Sequence, residues 1–183
     1  TAMGARLLRR RLLAPSLARA EIEARLDAVG EMAAATVARL EIRKILGEIL
    51  DLERLLAKVT LGTAGPRELS ALARSLARAP ALKQAAGQTR SSTRMAELYD
   101  RLDEVAEVRD RVLAALADQP PANLAEGGVI RDGFCAELDQ LRDISRNSRR
   151  YIAAIETRER EKTGIQSLKV RFNNVFGYYI EIS

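Results

Sequence analysis

The sequence predicts a mainly α-helical fold, in which a helical core or lever bundle carries a long protruding helix that leads to a C-terminal β-hairpin. Composition favours helices, because aromatic residues make up 4% of the 183 residues while alanine, leucine and arginine dominate. Spacing favours them too, since apolar residues recur at steps of three and four through most of the chain. A change to strict alternation after residue 167 predicts the hairpin.

The sequence predicts a series of helices in the first half of the chain. Residues 3–13 are predicted to form a helix that stops near Pro15, because proline disfavours a helical conformation in the residue before it. A second helix is predicted over about 19–37, and 38–61 continue as helical segments. The stretch GTAGP is predicted to interrupt the helices. Pro66 then suits the first turn of a helix predicted over 66–79. Residues 87–93 are a polar loop.

The second half is predicted to carry a coiled-coil-like seam and then one long helix. From Met95 to Leu116 apolar residues alternate at steps of three and four, interrupted where Arg109 takes a seam position. Two prolines and two glycines in 118–128 indicate a loop. A helix over 135–162 would be roughly 42 Å long at 1.5 Å per residue. Its last apolar residue is Ile155, so its final turns are expected to project into solvent.

The alternating stretch at the C-terminal end predicts a hairpin with one apolar face. A three-residue loop over 173–175 keeps all apolar residues on one face, whereas a two-residue Asn-Asn turn would mix the faces. This loop predicts three pairs: Phe172 with Phe176, Val170 with Tyr178, and Leu168 with Ile180. An isolated hairpin is marginal in water, so the chain is interpreted as a fragment. The predicted domains are a helical core over 1–134, a long helix over 135–162 and an incomplete hairpin domain over 163–183.

Composition excludes several kinds of catalytic site. The chain has no histidine and one cysteine, Cys135, which excludes a histidine base, a histidine-ligated metal and an intrachain disulfide. No Walker, dinucleotide-binding or nucleophile-elbow motif occurs. Glu156, Glu159 and Glu161 alternate with basic residues, which is typical of a solvated helix with local ion pairs. We therefore expect no catalytic residue, no metal and no cofactor in this chain.

A basic tip is the candidate binding site. Nine lysines and arginines against five acidic residues lie in 142–183, so this stretch carries +4 of the net charge of +5. Cationic, amide and hydroxyl side chains together suit contact with a nucleic-acid backbone, without reading its sequence. The alternative from residue types alone is a capped edge hairpin. The candidate residues share the hairpin or the helix before it: Lys162, Lys169, Arg171, Asn173, Asn174 and Tyr179.

The chain closely resembles the MutS mismatch-repair family. The clearest match is TGIQSLKVRFNNVFGYYIEIS (163–183), which is similar to the run that opens the family's clamp domain. GGVIRDGFCAELDQLR and RERE resemble its lever, while TAMGARLLRRRLLAP, EIEARLDAV and DLERLLAKVTLGTAGPREL resemble its core. There are two departures: Ala2 stands where the family usually has proline, and Arg171 where it usually has a small residue.

The resemblance implies a piece of a dimeric DNA clamp. The piece would be the helical core and lever that link an ATPase to the clamp, with the clamp's first hairpin touching duplex DNA weakly and non-specifically. ATP and Mg²⁺ would belong to an ATPase domain outside this chain, and mismatch recognition to another. The resemblance also implies a bacterial-type cytoplasmic, nucleoid-associated protein. We expect the fragment to be a monomer, with its most mobile part from about Arg158 onward.

Two alternatives remain open from the sequence. One is the same region of a MutS paralogue that acts in recombination or senses other DNA structures. The other is a helical protein-interaction scaffold, coiled-coil-like over 95–116, whose basic tip is merely solvated.

Overall fold

The computed structural model describes residues 1–175 and 177–182 and divides into two compact units, Thr1–Arg131 and Asp132–Ser183. The described residues are mainly helical, as predicted. The helices of the first unit are α1 Ala2–Leu13, α2 Arg19–Ala34, α3 Thr36–Glu48, α4 Leu52–Thr60, α5 Pro66–Leu76, α6 Ala79–Ala86, α7 Thr93–Asp100 and α8 Ala106–Ala115. The second unit has α9 Ala136–Arg146, α10 Ser148–Thr163, β1 Lys169–Asn173 and β2 Gly177–Glu181.

Capping hydrogen bonds and prolines account for several ends of the helices in the first unit. The Thr1 hydroxyl accepts a hydrogen bond from the Gly4 N–H, and α1 ends before Pro15 as predicted. The predicted second helix over 19–37 is instead divided at Ala35, whose φ of −83° and ψ of 66° are not helical. Pro66 begins α5 as predicted, and the Gly65 N–H donates to the Glu68 carboxylate at 2.6 Å.

The predicted seam over 95–116 is wrong as a continuous helix. Helix α7 ends at Asp100, and Val105, with φ of 46° and ψ of 44°, precedes α8. The Asp103 carboxylate accepts a hydrogen bond from the Val105 N–H at 2.8 Å, a local side-chain contact that competes with helix formation. The loop over 118–128 is confirmed, with a short 3₁₀ turn at Leu124–Glu126.

Small residues dominate the buried positions of the first unit. Because small side chains let helices approach closely, this core packs with only a few large apolar groups. Many large apolar residues lie at the surface instead: Leu17 is 97% exposed, Val37 80% and Leu12 73%. The buried residues of this unit are Ala28, Ala38, Ile42, Pro66, Ser70, Ala73, Ser75, Ala79, Ala85, Thr89, Leu116 and Pro120.

The predicted helix over 135–162 is interrupted at Asn147, which separates α9 from α10 with φ of −111° and ψ of 28°. The Asn147 amide donates to Asp143 Oδ1 at 2.6 Å, and the Tyr151 hydroxyl donates to Asp143 Oδ2 at 2.6 Å. These side-chain bonds connect the two helices at the Asp143 carboxylate, while the Asn147 N–H still donates to the Asp143 carbonyl at 2.8 Å. Gly164, at φ 72°, ends α10 in the left-handed conformation that glycine adopts readily.

The hairpin forms with the predicted faces but a different register. β1 and β2 are antiparallel, and Phe172 lies opposite Tyr178 while Val170 lies opposite Ile180. The expected partner of Phe172 was Phe176, which lies outside the described residues. β1 ends at Asn173 and β2 begins at Gly177, so the connection lies one position later than predicted. Because the register differs by two, each side chain stays on its predicted face.

The final turns of α10 contact the hairpin instead of projecting freely. The Val170 N–H donates to Glu156 Oε2 at 3.0 Å, and Arg160 Nε donates to the Leu168 carbonyl at 2.7 Å. Leu168 is 3% exposed, so it is the buried apolar residue beside this contact. The end of α10 therefore positions one edge of the hairpin.

Within residues 1–175 and 177–182, none of the helices combines the length and apolar character that a bilayer crossing requires.

Candidate nucleic-acid interface

One face of the hairpin carries most of the predicted binding residues. Successive side chains of a strand point to opposite faces, so Lys169, Arg171 and Asn173 share a face of β1. Tyr179 lies opposite Arg171, and Glu181 lies opposite Lys169, so both belong to the same face of β2. We call these five residues, three from β1 and two from β2, the polar face.

The cations of the polar face are accessible. Lys169 is exposed, and the Arg171 side chain is 56% exposed. Arg171 Nε lies 2.6 Å from Glu181 Oε2, so the arginine has an ion-pair partner on the neighbouring strand. Two cations and one carboxylate leave the polar face with a net charge of +1.

One of the two asparagines near the turn, Asn173, contributes to the structure of the turn. Asn173 Oδ1 accepts a hydrogen bond from the Val175 N–H at 3.0 Å, which shapes the start of the connection. Asn174 is exposed beside it. Gly177 follows at φ 75°, a conformation in which a side chain would be strained. Asn173 therefore helps to form the turn, while Asn174 presents its amide outward.

Lys162 lies on α10 and not on the hairpin. It is exposed in the last turn of the helix. The nearby Arg158 side chain is 71% exposed and pairs with Glu159 at 3.1 Å. The structure thus brings Lys169, Arg171, Asn173 and Tyr179 together on one face, with Asn174 at its turn, and places Lys162 on the helix that precedes them.

Glu156 and Arg160 contact the hairpin, although the sequence pattern did not predict this. They form the expected ion pair one helical turn apart, at 2.5 Å. Both also bind the backbone beside β1, through the Val170 N–H and the Leu168 carbonyl. The i,i+4 spacing of the two residues predicts their ion pair. The sequence pattern does not predict that both side chains also bind the backbone at the edge of the hairpin. They position the polar face.

The opposite face of the hairpin is apolar and largely uncovered in the chain. The rings of Phe172 and Tyr178 lie 5.0 Å apart at an interplanar angle of 57°. These two side chains are 58% and 60% exposed, and Ile180 is 56% exposed. The two faces therefore differ sharply in chemistry, which gives the hairpin a defined polar side.

A second basic surface lies in the first unit, in a cleft between α1, α2 and α7 that includes five arginines. Arg25 and Arg94 both bind Glu21 at 2.7 Å. Arg39 donates to the carbonyls of Met32 and Ala33, at the end of α2. Arg94 and Arg39 each join α2 to another helix, and Arg25 pairs within α2, whereas the remaining two arginines, Arg11 and Arg101, line the cleft beside them.

The described residues contain no cluster of three or more histidine, cysteine, aspartate or glutamate side chains that could hold a metal. Cys135 is exposed just before α9. The Asp143 carboxylate accepts hydrogen bonds from the Tyr151 hydroxyl and the Asn147 amide, and both lower its pKa. These partners belong to α10 and to the residue that joins it to α9.

Comparison with known proteins identifies the family. The family profile described as MutS domain III matches residues 1–177. The DNA mismatch repair protein MutS of Solibacter usitatus is 62% identical over 183 residues, and that of Symbiobacterium thermophilum is 47% identical over 183 residues. The protein of the same name from Methanothrix thermoacetophila is 46% identical over 186 residues.

Each of these alignments covers 100% of this chain but only 21% to 22% of the relative. The chain therefore spans about a fifth of the length of the curated relatives it matches. Since the family profile covers nearly the whole chain, the chain belongs to the MutS domain III family.

Proposed function

We propose that this member of the MutS domain III family forms the helical core and lever of a DNA mismatch repair protein, and that its hairpin contacts the backbone of duplex DNA. The observation that carries the DNA contact is the exposure of Lys169 and Arg171 together on the polar face. Cations bind phosphates and release condensed counterions, which supplies most of the free energy of non-specific DNA binding.

The polar face supplies the groups that bind a DNA backbone. Its charged and polar side chains lie on two paired strands of five residues each. Lysine and arginine supply charge, while the Tyr179 hydroxyl and the Asn174 amide supply hydrogen bonds to phosphate oxygens. Contacts of this type give dissociation constants of about 10⁻⁴ to 10⁻⁶ M at physiological salt.

The helices α9 and α10 would act as the lever. A packed helix moves as a body when one end is displaced, so it can carry a displacement from one site to another. Glu156 and Arg160 would pass that displacement to the hairpin, because both bind the backbone next to β1. In this proposal ATP hydrolysis, Mg²⁺ and mismatch recognition belong to other parts of a dimeric protein, and no residue of this chain is catalytic.

The alternatives are less well supported. The relatives are named mismatch repair proteins, which favours that function over a recombination paralogue. The scaffold alternative depended on a continuous seam over 95–116, but this stretch is divided between α7 and α8 at Val105. Two helices of 8 and 10 residues are too short for a stable coiled coil.

The test is the salt dependence of DNA binding by the intact protein that carries this segment. Fluorescence anisotropy of a labelled homoduplex would compare it with a Lys169→Ala/Arg171→Ala variant. Losing two phosphate contacts should reduce the log–log slope of affinity against salt by about 1.8. The matched control is Arg43→Ala/Lys44→Ala, which removes two exposed cations from α3.

An unchanged slope in the hairpin variant, or an equal reduction in the control, would overturn the proposal. An Arg11→Ala/Arg101→Ala variant tests the arginine-lined cleft in the same assay. If only that variant loses affinity, the DNA contact lies in the first unit.

A further inference from the structure

We propose that Glu181 competes with DNA phosphate for Arg171, and thereby sets how tightly the hairpin holds duplex DNA. This inference rests on the proposed DNA contact and adds the group that regulates it. Glu181 is not among the residues predicted from the sequence to bind DNA, and as an anion it would oppose binding. Its position on the polar face nonetheless makes it part of the site.

The strand register places Glu181 between the two cations. It lies directly opposite Lys169 in the ladder and diagonally across from Arg171, which pairs with Tyr179. On one face of an antiparallel pair, both the direct and the diagonal neighbours are within reach of long side chains. The measured contact is the diagonal one, with 2.6 Å between Arg171 Nε and Glu181 Oε2.

The ion pair can exchange partners because it lies at the surface. The Arg171 side chain is 56% exposed and that of Glu181 is 42% exposed, so a phosphate can approach the guanidinium without the hairpin opening. Guanidinium groups bind both carboxylates and phosphates. Glu181 contacts Arg171 only between Oε2 and Nε, and Glu181 Oε2 forms no regular hydrogen bond among the described residues. A DNA phosphate can bind the same guanidinium in its place.

The competition lowers affinity in two ways. DNA must displace the carboxylate from Arg171 before a phosphate can take its place, and the free carboxylate then repels the phosphate. Both effects follow from charge and would disappear if Glu181 were neutral. Exposed ion pairs contribute little to folding, and the strands are held together by five paired residues, so the pair is not needed to form the hairpin.

The inference predicts that a neutral residue at position 181 strengthens DNA binding. Glu181→Gln keeps the shape of the side chain and removes its charge. In the intact protein, the dissociation constant for a labelled homoduplex at low salt should fall about two- to fivefold, the range expected when an exposed ion pair no longer competes. The gain should shrink as salt is added, because salt screens both the pair and the phosphates.

Two further variants identify the cause. In an Arg171→Ala background, Glu181→Gln should give a clearly smaller gain, because the arginine for which it competes is absent. Glu161→Gln removes an exposed carboxylate from α10 that has no contact with Arg171, and it should change affinity little. Should the glutamine variant lose its structure, Glu181→Thr repeats the test with a residue that favours strands.

The outcomes separate this inference from the proposed function. If Lys169→Ala/Arg171→Ala does not weaken binding, the DNA contact itself is wrong. If that variant weakens binding but Glu181→Gln gives no gain, only the competition is wrong. An equal gain in the Arg171→Ala background, or in Glu161→Gln, would also overturn it, because the effect would then come from net charge.

Discussion

Arg6 of α1 binds Asp51, the residue that caps α4, through two parallel contacts. Nη1 lies 2.5 Å from Oδ2, and Nη2 lies 2.7 Å from Oδ1. Asp51 Oδ1 also accepts a hydrogen bond from the Arg54 N–H at 3.2 Å, so one carboxylate both begins a helix and ties it to the N-terminal helix. A forked arginine–carboxylate pair is the strongest kind of exposed contact.

This pair predicts an acid-sensitive stability. The Arg6 guanidinium, followed by the Arg54 N–H, lowers the pKa of Asp51 from 3.8 to about 2. The stabilisation is therefore complete only well above the unfolded pKa of 3.8, from about pH 5, and is lost as the pH falls through about 2. Arg6→Gln should lower the thermal midpoint at pH 6 and reduce its change between pH 4 and 2. Arg9→Gln, an exposed change on the same helix, should behave like the wild type; equal effects of the two variants would refute the prediction.

Glu31 of α2 provides a second long-range cap. Its carboxylate accepts hydrogen bonds from the backbone N–H groups of Ser91 and Ser92, each at 2.8 Å, and from the Ser92 hydroxyl at 2.6 Å. These contacts lower its pKa, with the Ser92 hydroxyl as the largest cause. Glu31→Ala should reduce the free energy of unfolding by about 1 kcal/mol, as for loss of a helix cap. Urea unfolding measures this, and the exposed Glu41→Ala should cost clearly less.

Val105 is held in a conformation that suits glycine. Its φ of 46° is the one positive φ of a non-glycine residue among those described, and its side chain is branched at Cβ. Val105→Gly should therefore raise the free energy of unfolding by about 1 kcal/mol, because it removes the strain. Val108→Gly, in the first turn of α8, should instead lower it, by up to about 1 kcal/mol. A loss of stability in both variants would show that Val105 is not strained.

The joint between α9 and α10 should be visible in a titration. The Asp143 carboxylate accepts a hydrogen bond from the Tyr151 hydroxyl at 2.6 Å, and this contact raises the pKa of Tyr151 above its usual value of 10.0. Asp143→Asn should bring the Tyr151 pKa back towards that value, because the anion that favours the protonated phenol is gone. NMR titration of the labelled tyrosine measures this, and no change would mean that the contact does not form in solution.

The sequence correctly predicted which residues share each face of the hairpin, but not which residues pair across its two strands. Alternation decides which face Arg171 and Phe172 occupy, and a shift by two residues leaves that unchanged. The register depends on the turn, where the hydrogen bond from the Val175 N–H to Asn173 and the left-handed Gly177 place the loop one residue later. These features depend on the local backbone conformation, which the alternation of apolar and polar residues does not reveal.

The same reasoning explains the errors in the helices. Apolar spacing predicts that a segment is helical, but it does not show where a single residue adopts non-helical backbone angles. At Val105 the Asp103 carboxylate binds the backbone N–H, which competes with helix formation. At Asn147 the backbone N–H still donates to the Asp143 carbonyl at 2.8 Å, and the break lies in the backbone angles of Asn147 itself. Neither break alters the apolar spacing, so spacing alone does not reveal it.

The central claim is that the polar face of the hairpin meets DNA, and neighbouring tyrosines test it directly. Tyr179 lies on the polar face and Tyr178 on the apolar face, so a photo-crosslinking phenylalanine analogue at either position changes little except direction. In the intact protein bound to a labelled homoduplex, the analogue at position 179 should crosslink to DNA far more than the analogue at position 178. Crosslinking that is equal at both positions, or stronger from position 178, would contradict the claim.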